Sequence, residues 1–285
     1  MSNESLILEE SAPLDLRLSE AELAATREHV TAFVESVVDD AGADGAVLGL
    51  SGGIDSTLTA YLAVEALGAD RVHGLVMPSD VNTAGNMSDA ERVARDLGIG
   101  YDVVDIGPIF DAFVEAFPEE DTGDRIDTDP LRTAAGNVRV RIRAVLNYFV
   151  ANAENRVVLG TGNRSEALTG YYTKYGDQAV DCNPIGNLYK QQVRQLAAHV
   201  GVDDDLVTKT PSAEMWTGQT DETEMGLSYD TLDAILALHV DGPLSKSATV
   251  RQLDVTTEQV DRVVDLYERS AHKRAMPPAP DPLYR

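Results

Sequence analysis

Six residues, Ser51-Gly52-Gly53-Ile54-Asp55-Ser56, constrain this chain more than any other feature, because of what stands on either side of them. The apolar run 46–50, AVLGL, is bounded by glycine and reads as a buried strand. Residues 56–67 read as a helix that Gly68 stops. Two adjacent glycines between strand and helix allow a tight turn whose backbone N–H groups converge on one point. The helix N-terminus adds partial positive charge there, so the turn suits a phosphate group. No Gly-Lys-Ser/Thr follows, which excludes a Walker A loop. Residues Gly49 to Gly53 also satisfy G-x-S-x-G, the nucleophile elbow of α/β-hydrolases. That reading needs a later histidine, and His73, His199, His239 and His272 are available. Asp55 favours the phosphate reading, since Mg²⁺ is held by one or two carboxylates together with substrate phosphates.

The strand–turn–helix unit repeats. Strands are expected at 72–77, 101–106 and 156–160. Helices are expected from Ser19 to about Ala41, from a cap at Ser88 to Leu97, and from about Pro130 to Ala153. Ser19 and Glu22 have the spacing of a capping box. The alternation predicts an α/β fold, a doubly wound parallel sheet flanked by helices, with its ligand site in the loops after residues 50, 77, 106 and 160. The acidic stretch 118–130 reads as an exposed loop. Further helices are expected near 187–200, 228–240 and 256–272, forming a helical C-terminal extension. We read residues 1–18 as an arm and 19–285 as a single domain. The stretches 82–88 and 208–226 are expected to cover the site.

Composition narrows the function. The chain has 285 residues, of which 43% are apolar, enough for a buried core. Its net charge of −25 repels nucleic acid and anionic lipid at long range. No apolar run approaches the roughly 20 residues of a membrane span, and the first residues are acidic, so a soluble cytoplasmic protein is expected. Only five of the 23 basic residues are lysine, and acids are spread along the whole chain. That surface suits concentrated salt, where screening over ~3 Å at 1 M removes self-repulsion. The single cysteine, Cys182, permits no intrachain disulfide and reads as a small core residue.

SGGIDS resembles the pyrophosphate-binding loop of the N-type ATP pyrophosphatases, a group with the adenine nucleotide alpha hydrolase-like fold. Later segments narrow the likeness: GNVRVRIR (136–143), LGTGNRSEALTGYYTKYGDQAVD (159–181), LYKQQVRQLA (188–197), KTPSAEM (209–215), TDETEMGLSYDTLD (220–233) and SAHKRAMPP (270–278). All resemble NAD synthetase segments in the same order, over roughly residues 20–280. Read alone, GTGNRS (160–165) passes for a degraded dinucleotide fingerprint, but it lacks the third glycine and follows the fourth strand.

The resemblance implies ammonia-dependent synthesis of NAD from deamido-NAD and ATP through an adenylated intermediate. It places Gly49, Leu50, Ser51, Gly52, Gly53, Ile54, Asp55, Ser56, Thr161, Lys190 and Ser212 at ATP. It places Arg141, Lys174, Asp181, His272 and Lys273 at deamido-NAD, and Asp55 and Glu166 on Mg²⁺. Asp55, Lys174, Asp177 and Lys190 are its expected catalytic groups. The arginines at 139, 141 and 143 spread around a helix, so one of them is expected to face the site, by the resemblance Arg141. Free ammonia or a separate glutaminase subunit is expected to supply nitrogen, and relatives of this kind are homodimers. The alternatives are another pyrophosphatase, such as a GMP synthetase core, and a nucleotide sensor without turnover.

Overall fold

The computed structural model describes residues 16–79, 84–117, 131–212, 220–281 and 283. Its first helix, α1 (Glu20–Asp40), starts where the capping box predicts. The Ser19 amide donates to Glu22 Oε2 at 2.8 Å, and the Glu22 amide donates back to Ser19 Oγ at 3.3 Å. Leu23, Val30, Val34 and Val38 form one buried stripe along it.

Strand β1 (Gly45–Leu50), helix α2 (Ile54–Leu67), strand β2 (Val72–Val76), helix α3 (Ala84–Asp96) and strand β3 (Gly100–Val103) follow. Helix α4 (Gly107–Glu115), helix α5 (Leu131–Glu154) and strand β4 (Arg156–Val158) complete the sheet layer. The sheet is parallel throughout, in the order β3-β2-β1-β4, with Ala46 opposite Val72 on one side of β1 and Val157 on the other. Strand order therefore turns between β1 and β4, and the loops leaving these two strands diverge around a crevice. This is where an open α/β sheet places its ligand. Beyond β4, Cys182 forms a parallel bridge with Leu159 that widens the sheet floor.

Both sheet faces are covered. Leu48, Leu50, Leu58, Leu62 and Val193 belong to the larger core on one side. Val47, Leu75, Ile106 and Val158 pack with α5 residues Ile142 and Leu146 on the other. The remaining helices are α6 (Arg164–Thr169), α7 (Lys190–His199), α8 (Asp204–Val207), α9 (Asp221–Met225), α10 (Tyr229–Ile235), α11 (Lys246–Leu253), α12 (Thr257–Arg269) and α13 (Ala271–Arg274). Tyr189, Met225, Tyr229, Leu232, Ile235, Val260 and Val263 make a third core among them.

Boundaries shift where local signals compete. Helix α2 begins two residues before Ser56, because extended Gly53 is its N-cap. Helix α3 begins at Ala84, four residues before the Ser88 cap read from the sequence. The third and fourth strands stop at Val103 and Val158, short of 106 and 160. Helix α10 runs on as a π-helical turn over Leu236–Val240. Helices α4, α6, α8, α9 and α11 fall in stretches that carried no helix prediction. The acidic segment 118–130 lies outside the described residues, as does most of the 1–18 arm.

Candidate active site

The glycine turn is held by its own side chains. Gly52 has φ +73°, a conformation that costs a residue with a Cβ roughly 1–2 kcal/mol. Ser56, 2% exposed, receives the Ser51 amide at 3.2 Å and donates to the Gly53 carbonyl at 3.1 Å. Its hydroxyl is therefore a buried staple of the turn. Lys209, which also lines the adjoining cavity, clasps the turn, its Nζ donating to the Gly52 carbonyl at 2.9 Å and to Asp89 Oδ2 at 2.7 Å.

The turn opens on a cavity of about 490 Å³ at the carboxyl ends of β1 and β4. Three charged groups from three elements meet in its wall. Asp55 stands in the first turn of α2, Glu166 in the first turn of α6, and Lys190 is the first residue of α7. Lys190 Nζ lies 2.5 Å from Asp55 Oδ2 and 3.5 Å from Glu166 Oε1. Asn163 ties the two acidic loops together: its side chain caps α6 by accepting the Glu166 amide at 3.0 Å and donates to Asp55 Oδ1 at 2.9 Å.

Electrostatics follow from this packing. Desolvation, reinforced by the Asp55 charge, pushes the Glu166 carboxyl up to about 8. Burial alone would lower the Lys190 ammonium, but Asp55 and Glu166 more than offset it and hold the ammonium above its ordinary range. Lys190 thus stays protonated at neutral pH. Asp221, 3% exposed, faces the same cavity and accepts from Tyr229 Oη at 3.0 Å. Desolvation raises its carboxyl.

Most residues read as ATP-side meet here: Gly49 to Ser51, Gly53 to Ser56, Thr161, Glu166, Lys190 and Ser212 line the cavity. The buried side chains of Leu50 and Ile54 also belong to the core, which leaves their backbone for the turn. Asp177 and Lys273 also line the cavity. Asp177 keeps contact with solvent, yet the surrounding protein still desolvates it and raises it to about 6. The Thr173 amide donates to Asp177 Oδ1 at 2.7 Å. Lys273 Nζ donates to the Gly170 and Tyr172 carbonyls, each at 2.7 Å.

Arg141, Lys174 and His272 gather beside the cavity. Arg141 Nη2 donates to the Lys174 carbonyl at 3.1 Å, and Lys174 Nζ donates to the His272 carbonyl at 2.5 Å. Asp181 is engaged elsewhere, accepting from Tyr148 Oη at 3.1 Å and from the Val158 amide at 2.7 Å. Of Arg139, Arg141 and Arg143 on α5, the one lining the cavity is Arg143, which donates from Nε to the Met77 carbonyl at 3.0 Å; Arg139 lies over the Phe110 ring. Cys182 packs against the larger core, and burial lifts its thiol to about 11, consistent with an unreactive residue.

Sequence reasoning missed Asn163, Lys209, Asp221 and Arg143. Asn163 carried a usable signal, since Asn163 and Glu166 have capping-box spacing. Lys209 and Asp221 lie in segments that carry the family resemblance, 209–215 and 220–233, but no local spacing assigns either to the site, because only the fold brings residues so far along the chain to it.

The NAD synthase family model matches residues 26–277. The chain belongs to the NAD synthase family. Within that family, the NH(3)-dependent NAD(+) synthetase of Halobacterium salinarum is 61% identical over 269 residues, covering 94% of this chain and 97% of the relative. That of Methanosarcina acetivorans is 46% identical over 250 residues, covering 87% and 94%. Among solved structures, an NMN synthetase from Francisella tularensis superposes with a TM-score of 0.78 at 32% identity, covering 93% of this chain and all of that one. The NH3-dependent NAD synthetase of Campylobacter jejuni gives 0.74 at 30%, covering 91% and 99%. Membership of the NAD synthase family sets aside the hydrolase-elbow and lone-fingerprint readings.

Proposed function

We propose that this chain amidates deamido-NAD with ammonia at the expense of ATP, giving NAD, AMP and pyrophosphate. The observation that carries the reading is the meeting of Asp55, Glu166 and Lys190 at the mouth of the glycine turn. A carboxylate is a poor acyl donor. The deamido-NAD carboxylate therefore attacks the α-phosphorus of ATP and releases pyrophosphate, and ammonia then displaces AMP from the acyl-adenylate.

The residues supply position and charge. Amides of the turn and the N-terminus of α2 face the polyphosphate, and Lys190 meets the negative charge that moves onto the leaving pyrophosphate. Thr161 and Ser212 offer hydroxyls to ATP from the cavity wall. Arg141, Lys174, Asp181, His272 and Lys273 are assigned to deamido-NAD. Asp177, ionised at neutral pH, is assigned the proton of the attacking nitrogen, and Lys174, held on the His272 carbonyl, is assigned a supporting catalytic charge. Two carboxylates opening on a cavity, with no cluster of three possible metal ligands among the described residues, fit a hard cation that shares its shell with phosphate oxygens. Asp55 and Glu166 would hold Mg²⁺, which would neutralise polyphosphate charge.

A homodimer belongs to this proposal. The adjacent helices α4 and α5 expose Ile109, Phe113, Val145 and Phe149, the last at 70%. A sedimentation measurement showing only monomer would remove it. A cytoplasmic location, a high-salt environment and the division into an arm (1–18) and one domain (19–285) also belong here; no described helix is long and apolar enough to cross a membrane.

Mass spectrometry of products tests the reaction, using ATP, Mg²⁺, ammonium and either deamido-NAD or its mononucleotide counterpart. The mononucleotide arm is included because one structural relative is described as an NMN synthetase. NAD and AMP in equal amounts support the proposal. Pyrophosphate release with neither acceptor present refutes it.

A further inference from the structure

Lys190 owes its place to more than its two carboxylate partners. It is the first residue of α7, so its backbone amide is one of those that a helix leaves without an internal acceptor. The acceptor comes from another element: Lys190 N–H donates to Ser165 Oγ at 2.9 Å. The next amide, of Gln191, donates to Asp233 Oδ2 at 2.9 Å. Ser165 Oγ in turn donates to the other oxygen of the same carboxylate, Asp233 Oδ1, at 2.5 Å. One carboxylate thus terminates both bonds at the start of α7, one directly and one through a hydroxyl.

The position of this carboxylate gives it leverage. Asp233 lies on α10 and is fully buried, as is Ser165. Its helix neighbours Leu232 and Ile235 belong to the core of C-terminal helices. Ser165 directly precedes Glu166 in the first turn of α6. The Asp233–Ser165 link therefore fixes the starts of two helices, the one that presents Glu166 and the one that presents Lys190. A buried carboxylate is expensive unless its hydrogen bonds are made, and here they are spent on orienting the residues behind the site.

We propose that Asp233 is a positioning residue for the amidation reaction: acting through Ser165 and the first amides of α7, it sets the ammonium of Lys190 against Asp55 and Glu166. This rests on the proposed function, in which Lys190 neutralises the departing pyrophosphate. It extends the working site to a helix that contributes no side chain to the wall built by the turn.

The test compares Asp233→Ala, Asp233→Asn and Ser165→Ala with the wild-type chain, and wild-type turnover in the same assay checks the underlying reaction separately. Asn keeps an acceptor for Gln191 and a polar group for Ser165; Ala keeps neither. Removing a hydrogen-bond partner that orients a site residue costs about 10–100-fold. We expect Asp233→Ala to lower kcat by at least ~10-fold in that range while KM for deamido-NAD stays within about twofold, and Asp233→Asn to recover most of the loss. Calorimetric binding of ATP, which needs no turnover, is expected to weaken in the Ala variant and recover in the Asn variant. A role confined to folding moves the melting temperature but not the split between kcat and KM. Should Asp233→Ala fail to fold, Ser165→Ala, which removes only one hydroxyl, decides the matter through the same readings. The proposal is overturned if a folded Asp233→Ala or Ser165→Ala keeps kcat and ATP affinity within twofold of wild type. It is equally overturned if Asp233→Asn loses as much as Asp233→Ala.

Discussion

The loop after β1 and the loop after β4 form the two sides of the same crevice, yet they are held in place differently. In the first, the bonds within the turn join residues two to five apart, Ser51 to Ser56, Gly53 to Ser51 and Ser56 to Gly53, and one long-range clasp, Lys209 on the Gly52 carbonyl, is added to them. In the second, Asn163 reaches Asp55 across 108 residues, Ser165 reaches Asp233 across 68, and Lys190 reaches Asp55 across 135. One side is shaped mainly by local bonds. The other gains its geometry only when the C-terminal helices dock.

Substitutions can break or sharpen this contrast. The largest effect belongs to Lys190→Met, which leaves Asp55 and Glu166 facing each other without a counter-charge. We expect kcat to fall by roughly 100–1000-fold, read in a pyrophosphate-release assay. Activity within tenfold of wild type would mean that the long-range pair is ornamental. Gly52→Ala probes the local side. Its positive φ predicts a loss of about 1–2 kcal/mol in denaturant unfolding, with a raised KM for ATP. Asn163→Ala removes a helix cap and is expected to cost about 1 kcal/mol.

A pH titration separates the contribution of Asp233. Burial raises its carboxyl from 3.8 to about 6, so the folded state binds the proton more tightly than the unfolded chain does. The associated stability is present below about pH 4 and is lost as pH rises to 6. Asp233→Asn lacks this slope. Measured by chemical denaturation, its stability relative to wild type is expected to rise across that window and stay level above it. A flat difference would show that Asp233 carries no such burial cost. The smallest effect is at Cys182, whose thiol sits near 11. Iodoacetamide at pH 7.5 is expected to label it far more slowly in the folded chain than in denaturant, as mass spectrometry would record.

Much of the sheet was readable because its signals are short in range. The run 46–50, the double glycine and the capping pair Ser19/Glu22 lie within a few residues of what they control, and the structure has β1, the turn and α1 there. Helix ends were less legible where two signals compete. The Ser88 cap lies inside a helix that already began at Ala84, and an extended Gly53 starts α2 ahead of Ser56. The arginine series shows the same limit. Spacing showed that Arg139, Arg141 and Arg143 point in different directions, but only packing shows that Arg143 meets the cavity while Arg141 joins Lys174.

The sequence by itself determined the alternation of strand and helix, the phosphate-type turn and the family, because each is written in contiguous residues whose conformational preferences need no distant partner. Tertiary structure alone decided that Lys190 stands between Asp55 and Glu166, that Lys209 clasps the turn at the Gly52 carbonyl, and that Asp233 anchors two helix starts. The physical reason is burial. A carboxylate or an ammonium removed from water must find its partner wherever the fold supplies one, and no spacing along the chain encodes which residue that will be.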